Sequence, residues 1–337
     1  MAKLDIAIDL GTAYTSIFVS GNGIVLREPS VIAYYENGGG RNLRAVGSAA
    51  YGMMGKAPEK TKIVCPIIDG VIRDPDGAAA MLTEFIKMIL PGSYIIKPKI
   101  RAILSVPIGI TVDERKMYEE VLMRSMVDEV TMINSVMLAA IGTELPVASE
   151  FGGFVASIGA GVSEFAAIGS SGIVTGNSIN IGGDMIDRTI ADSIRGIYRI
   201  KVNPVTVRRV KDNIASLIRN DCATAQIGGI DVETKNVRSQ VVSADKLYGA
   251  IHVYYENFAN AIGNIINASR TAVAEEIQKH GITVVGGGAR IPGLSTVLEN
   301  ALEVSVHIPD DPQYAVITGA GMLLSDPYKL EDIITHA

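Results

Sequence analysis

Leu4 to Asp9 alternates apolar and polar positions and stops at Gly11, Thr15 to Val19 reads as a second strand, and Gly21 to Gly23 supplies the next turn. This is a β-hairpin leading into a third strand. The same grammar returns in Phe154 to Ile158, then Gly159 to Gly161, then Glu164 to Ile168, followed by Ser170-Ser171-Gly172 and Ile173-Val174. Side by side, IDLGTAYTSIFVSGNGIV and ASIGAGVSEFAAIGSSGIV agree at the glycine turn, the second strand and the closing Gly-Ile-Val, with about one residue of slip. A duplicated domain is the simplest account.

Each half then continues with strand and helix patterns. Ile100 to Pro107 reads as a strand and Asp113 to Met126 as a helix; in the second half Leu247 to Gln278 reads as helical and Ile282 to Val285 as a strand. The expected class is α/β, with two duplicated domains, each a mixed sheet flanked by helices. Two turn-rich or charged stretches interrupt the repeat, about 33–72 and 185–244, and read as inserted subdomains. The expected division is 1–147 for the first domain, 148–325 for the second, and a short tail over 326–337.

Composition narrows the function classes. At 337 residues, 48% hydrophobic and 20% charged, the chain can fill two cores and has little room for long disorder. A net charge of −6 without any extended Lys/Arg cluster offers no footprint for a nucleic-acid backbone. Two cysteines far apart, Cys65 and Cys222, fit a reducing compartment, and the start of the chain lacks the pattern of a signal peptide, so the cytoplasm is expected. The apolar run from Phe151 to Ile168 is broken by Ser157, Ser163 and Glu164 and reads as buried strands. The four histidines, His252, His280, His307 and His336, show no metal-ligand spacing.

Candidate chemistry lies at the glycine turns. In Asp9-Leu10-Gly11-Thr12-Ala13-Tyr14-Thr15, glycine and small hydroxyl residues occupy a tight turn where backbone N–H groups can surround phosphate oxygens, with Asp9 facing a phosphate-bound Mg²⁺ through water. Alone, this motif reads equally well as an ordinary hairpin turn. The second copy favours function, because two related turns can close on one polyphosphate from opposite sides. In Val284-Val285-Gly286-Gly287-Gly288-Ala289-Arg290, a strand runs into a triple glycine and a helix start, where backbone can approach a flat or anionic ligand.

The ordered set IDLGTAYT, REPSVIA, the Gly-Ala-Gly turn of SIGAGVSEFAAI, IGGDMID, VVGGGARIPGL and a late TGAG resembles the MreB family, the bacterial actin homologues, from Ile6 to about Leu324. The resemblance implies an actin-like fold, ATP or ADP with Mg²⁺ between the domains, and filaments that serve cell shape by organising wall synthesis beneath the membrane. By position it implies that Gly11, Thr12, Ala13 and Tyr14 form the first phosphate loop and Gly159, Ala160 and Gly161 the second. It places Gly183 and Asp184 near the nucleotide, Gly286, Gly287 and Gly288 near its α-phosphate and adenosine, and Lys211 near the ribose or base.

Three positions depart from the family pattern. Ser157 stands where the second turn would open with Asp, Ser135 where a Glu would orient the attacking water, and Arg208 where a Glu-x-x-Lys ribose pair would begin. Serine hydrogen-bonds but accepts a proton far less readily than Glu. Weak or absent ATP hydrolysis is therefore expected, against the alternative of slow turnover sustained by Asp9 and Mg²⁺ through positioning alone. The expected partners are further copies of the chain in a filament, an active MreB paralogue, and the inner membrane surface. The membrane contact would use Tyr94, Ile95 and Ile96, flanked by lysines, although these residues also read as the start of the next strand. A non-polymerising nucleotide-binding scaffold is the alternative function. A small-molecule kinase would need a base aimed at a substrate hydroxyl, and an Hsp70-like chaperone a peptide-binding region beyond the last motif; neither is expected.

Overall fold

The structure is a computed structural model of the chain and describes residues 3–37, 40–90 and 97–336. Its frame is set by the two hairpins. Strands β1 (Lys3–Leu10), β2 (Tyr14–Val19) and β3 (Gly23–Pro29) form an antiparallel meander. The chain then leaves this sheet for a small one made by β4 (Ile32–Asn37), β5 (Gly40–Val46) and, after helix α1 (Gly47–Tyr51), β6 (Thr61–Val64). A two-stranded ribbon, β7 (Ile67–Ile68) and β8 (Val71–Ile72), leads to α2 (Pro75–Ile89), whose N-terminus is capped by the Asp74 side chain. Strands β9 (Lys99–Val106) and β10 (Glu129–Asn134), separated by α3 (Val112–Arg124), return parallel to β1 and give the order β10-β9-β1-β2-β3. A Thr111–Glu114 capping box fixes the start of α3.

Helix α4 (Ser135–Gly142) passes to the second half, where β11 (Gly153–Ile158), β12 (Ser163–Gly169) and β13 (Gly172–Ile179) repeat the meander. Helix α5 (Gly183–Tyr198) buries Ile186, Ile190 and Ile194 on one stripe. The second small sheet follows, from β14 (Ile200–Lys201), β15 (Thr224–Asp231) and β16 (Val237–Ser243), with α6 (Pro204–Ile214) against it. The long helical stretch expected near Leu247 is two helices, α7 (Ala244–Ala268) and α8 (Thr271–His280), broken at Ser269 and Arg270. Strand β17 (Ile282–Val285), α9 (Leu294–Leu302), β18 (Val306–His307), α10 (Ala315–Ser325) and α11 (Pro327–His336) complete the chain.

The second large sheet runs β13-β12-β11-β17-β18, with two antiparallel and two parallel pairings in the same places as the first. Even the register shift recurs, between Ile17 and Phe18 in one copy and between Ala167 and Ile168 in the other. This topology is the duplication seen in the sequence.

Alternation along the strands divides the cores. Ile6, Ile8 and Leu10 face the helices of the first half, while Ala7 on the opposite face joins a central layer with Ile103, Val155, Ala166 and Ile168. That layer is filled by α4 and α10, which both sheets share. The two helices touch backbone to backbone: a Cβ on Gly319 would overlap the Leu138 carbonyl. Residues on the central-layer side at the strand ends, past the two helices, face each other across a cleft.

Candidate functional site

The cleft encloses about 330 Å³ between the two large sheets. Asp9, Gly11, Thr12, Ala13 and Tyr14 line one side, and Gly159, Ala160 and Gly161 the other. Gly183, Lys211, Gly286, Gly287 and Gly288 close the far end, and Ser135 and Ser157 lie on the floor. Of the residues predicted for this site from sequence, Asp184 alone stands outside the lining; its backbone N–H donates to the Ala160 carbonyl at 2.8 Å, tying the start of α5 to the second turn. Tyr94, Ile95 and Ile96 lie outside the described residues.

The two turns are built alike. The Gly11 N–H donates to the Tyr14 carbonyl at 3.1 Å and the Gly159 N–H to the Val162 carbonyl at 3.1 Å, so each closes on itself, and among the described residues the N–H groups of Thr12, Ala13, Ala160 and Gly161 donate to no backbone carbonyl. The turns meet at Gly161, where an added Cβ would lie 2.6 Å from Thr12 Oγ1 and 2.7 Å from the Asp69 Cα. Only glycine permits that approach. Thr12 Oγ1 in turn accepts from the Gly70 N–H at 3.0 Å.

The floor is acidic. Ser105 Oγ donates to Asp9 Oδ1 at 2.6 Å, and burial pushes the Asp9 carboxyl above its ordinary range against that bond and the field of Arg27. Glu164, which sequence reasoning did not single out, is the second carboxylate. Its Oε2 accepts from Ser135 Oγ at 2.5 Å and its Oε1 from the Ile108 N–H at 2.7 Å. Burial pushes it up to about 7, with the nearby Asp9 adding to the rise. Glu164 is the register partner of Ser157 across the second hairpin, so the missing acid of β11 faces an acid on β12. Counting across the Gly159–Gly161 turn pairs these two positions, and that was the signal available in the sequence.

At the other end Arg208 on α6 meets Asp184 Oδ1 at 2.8 Å and Asp187 Oδ2 at 3.3 Å, and the two carboxylates hold its guanidinium above its already high value despite burial. Lys211, one helical turn on, lies 2.8 Å from Asp187 Oδ1 and donates to the Gly183 carbonyl at 3.0 Å. Arg208 also lies 5.9 Å from the centroid of the Tyr51 ring on α1, a contact between elements that flank the two small sheets. The triple glycine opens a short 3₁₀ turn over Gly287–Arg290 before α9, where an ordinary helix start was expected. A Cβ on Gly287 would meet no atom within 4 Å, so its backbone borders open space.

This arrangement fits a nucleoside polyphosphate: two turns with unpaired backbone amides and a glycine run at a strand end, all on one cavity of about 330 Å³. It also fits Mg²⁺, which binds phosphates through one or two carboxylates and keeps its waters; Asp9 would hold it, and its charge would offset the buried acids.

A family model described as MreB/Mbl protein matches residues 3–332. The cell shape-determining protein MreB of Escherichia coli K12 is 33% identical over 331 residues, covering 96% of this chain and 94% of that protein. The cell shape-determining protein Mbl of Bacillus subtilis is 31% identical, covering 98% of each chain. The crystal structure of MreB5 of Spiroplasma citri bound to AMPPNP superposes with a TM-score of 0.89 at 28% identity, covering 98% of both chains. The fold is thus actin-like, as the resemblance implied.

Proposed function

The chain belongs to the MreB/Mbl family, and on that premise we propose that it binds ATP or ADP with Mg²⁺ in the cleft and forms filaments whose assembly the nucleotide regulates, in the service of cell shape or wall organisation. The observation that carries this reading is the convergence of two duplicated glycine turns and the triple glycine on one cavity. The MreB5 structure holds AMPPNP in a chain of the same fold, and the E. coli and B. subtilis relatives are named for cell shape. An active MreB paralogue is the proposed partner in mixed filaments. The proposed location is the cytoplasm, with peripheral contact at the inner face of the membrane; among the described residues no helix is long and apolar enough to cross one.

Hydrolysis on this reading is weak or absent. The backbone amides of both turns would hold the phosphates, Asp9 would orient the hydrated Mg²⁺ that offsets phosphate charge, and the enclosed floor would limit water. What is lacking is a carboxylate at position 135 to take the proton of an attacking water. Where Glu164 is ionised, Ser135 Oγ spends its own proton on it and meets a water as an acceptor only.

The same floor supports a second reading, a scaffold that binds nucleotide without polymerising. Sedimentation of the purified protein over a concentration series, with and without ATP, separates the two. Concentration-dependent pelleting supports the filament; a protein that stays in the supernatant throughout is the scaffold.

A further inference from the structure

Asp9 on β1 pairs with Ser16 on β2, and Ser16 pairs with Arg27 on β3. Residues in one cross-strand row share a face of the sheet. Ser105 extends the row on the other side through its bond to Asp9, and all four line the cleft. The row therefore runs from an acidic end beside the phosphate turns to a basic end at the sheet edge.

The guanidinium of Arg27 is held but not neutralised. Its central carbon lies 3.8 Å from the centroid of the Tyr14 ring and 5.5 Å from that of Tyr314. Tyr14 belongs to the first glycine turn, so the cation is stacked on the element that forms the phosphate cradle. Among the described residues Arg27 makes no ion pair, although its field reaches Asp9. Of the other cations at the cleft, Arg208 is engaged by Asp184 and Asp187, and Lys211 by Asp187 and the Gly183 carbonyl. Arg290 also makes no ion pair among the described residues, but it follows the triple glycine and its field falls on Asp212, whereas that of Arg27 falls on Asp9 beside the first turn.

We propose that Arg27, braced by Tyr14, is the side chain that binds the polyphosphate of the nucleotide. The proposal rests on the nucleotide reading of the cleft. A guanidinium presents a planar fork of N–H donors that matches two phosphate oxygens, and stacking on a ring leaves that edge free. A triphosphate carries more negative charge than one divalent cation offsets, on a floor that already holds Asp9 and Glu164. An uncommitted cation in the same row meets that need.

The test is calorimetric affinity for ATP, ADP and adenosine, at low and high salt, for the wild-type protein, Arg27→Ala, Arg27→Lys, Tyr14→Phe and Tyr14→Ala, with melting temperatures to confirm folding. Arg27→Ala is expected to weaken ATP and ADP about tenfold to a hundredfold, to leave adenosine within about twofold, and to flatten the salt dependence. Arg27→Lys should keep the salt dependence with part of the affinity, and Tyr14→Phe should retain more than Tyr14→Ala. Unchanged ATP and ADP affinity in Arg27→Ala, or an equal loss for adenosine, would overturn the assignment while leaving the cleft a nucleotide site. A wild-type protein that binds none of the three overturns the reading of the cleft and this assignment with it.

Discussion

Ser135 donates to Glu164 at 2.5 Å, joining the first residue of a helix that follows one large sheet to a strand of the other. The Ile108 N–H, also from the first half, holds the second oxygen of the same carboxylate at 2.7 Å. One buried acid thus ties the two halves together on the floor of the cleft, and several consequences can be measured.

The first concerns pH. Glu164 is raised from 4.5 to about 7 in the folded chain, so the folded state keeps a proton that the unfolded state releases. Stability from this group therefore falls as pH rises through that window, and the cost, on the order of 3 kcal/mol, is fully present above it. Without nucleotide or metal, Glu164→Gln should melt close to wild type at pH 5 and above it at pH 8. The comparison of melting temperatures at both pH values checks this; an equal difference at the two would contradict it.

The second concerns catalysis. Ser135→Glu alone sets a second carboxylate against Glu164, and two buried like charges cannot both ionise. That variant should lose stability, and Glu164→Gln added to it should restore most of the loss. Ser135→Glu with Ser157→Asp and Glu164→Gln should release phosphate from ATP about tenfold or more faster than wild type. A wild-type rate already equal to the triple variant would mean that the serines do not limit turnover.

Arg208 offers a third test. Its removal leaves Asp184 and Asp187 part-buried, with Lys211 still paired to Asp187 and only the fields of Lys211 and Arg188 on Asp184 among the described residues. Arg208→Ala should cost about 2 kcal/mol or more in denaturant unfolding, and Asp187→Asn should recover part of it. Additive losses would show that the ion pairs do not couple.

Much of this was legible in the sequence because it rests on local pattern. The duplicated meanders follow from alternating strands and glycine turns, and the residues of both turns and of the triple glycine do converge. What stayed hidden depends on pairing between segments. Ser157 and Ser135 suggested a floor short of acids, yet the register of β11 with β12 places Glu164 beside both. Arg27 sat inside a motif noted only for resemblance, and its place in the cleft follows from the pairing of β2 with β3. The stretch from Met185 reads as one charged insertion, but the first part of α5 packs Ile186, Ile190 and Ile194 into the second core before the small sheet begins at Ile200.

The shared helix layer gives a further prediction. A Cβ on Gly319 would overlap the Leu138 carbonyl, and helix backbones cannot yield as a side-chain tip can. Gly319→Ala should destabilise by about 2 kcal/mol or more, read as a lower denaturant midpoint. An unchanged midpoint would mean that α4 and α10 do not pack in contact.

The central claim is that nucleotide in the cleft controls assembly. The direct measurement is the critical concentration for pelleting with AMPPNP, with ADP and with no nucleotide, for wild type and for Gly161→Ala, which obstructs the meeting of the two turns. The account predicts a lower critical concentration with AMPPNP than with ADP or none in wild type, and no such difference in Gly161→Ala. One critical concentration in all three states of the wild type, or an undiminished nucleotide response in the variant, would contradict it.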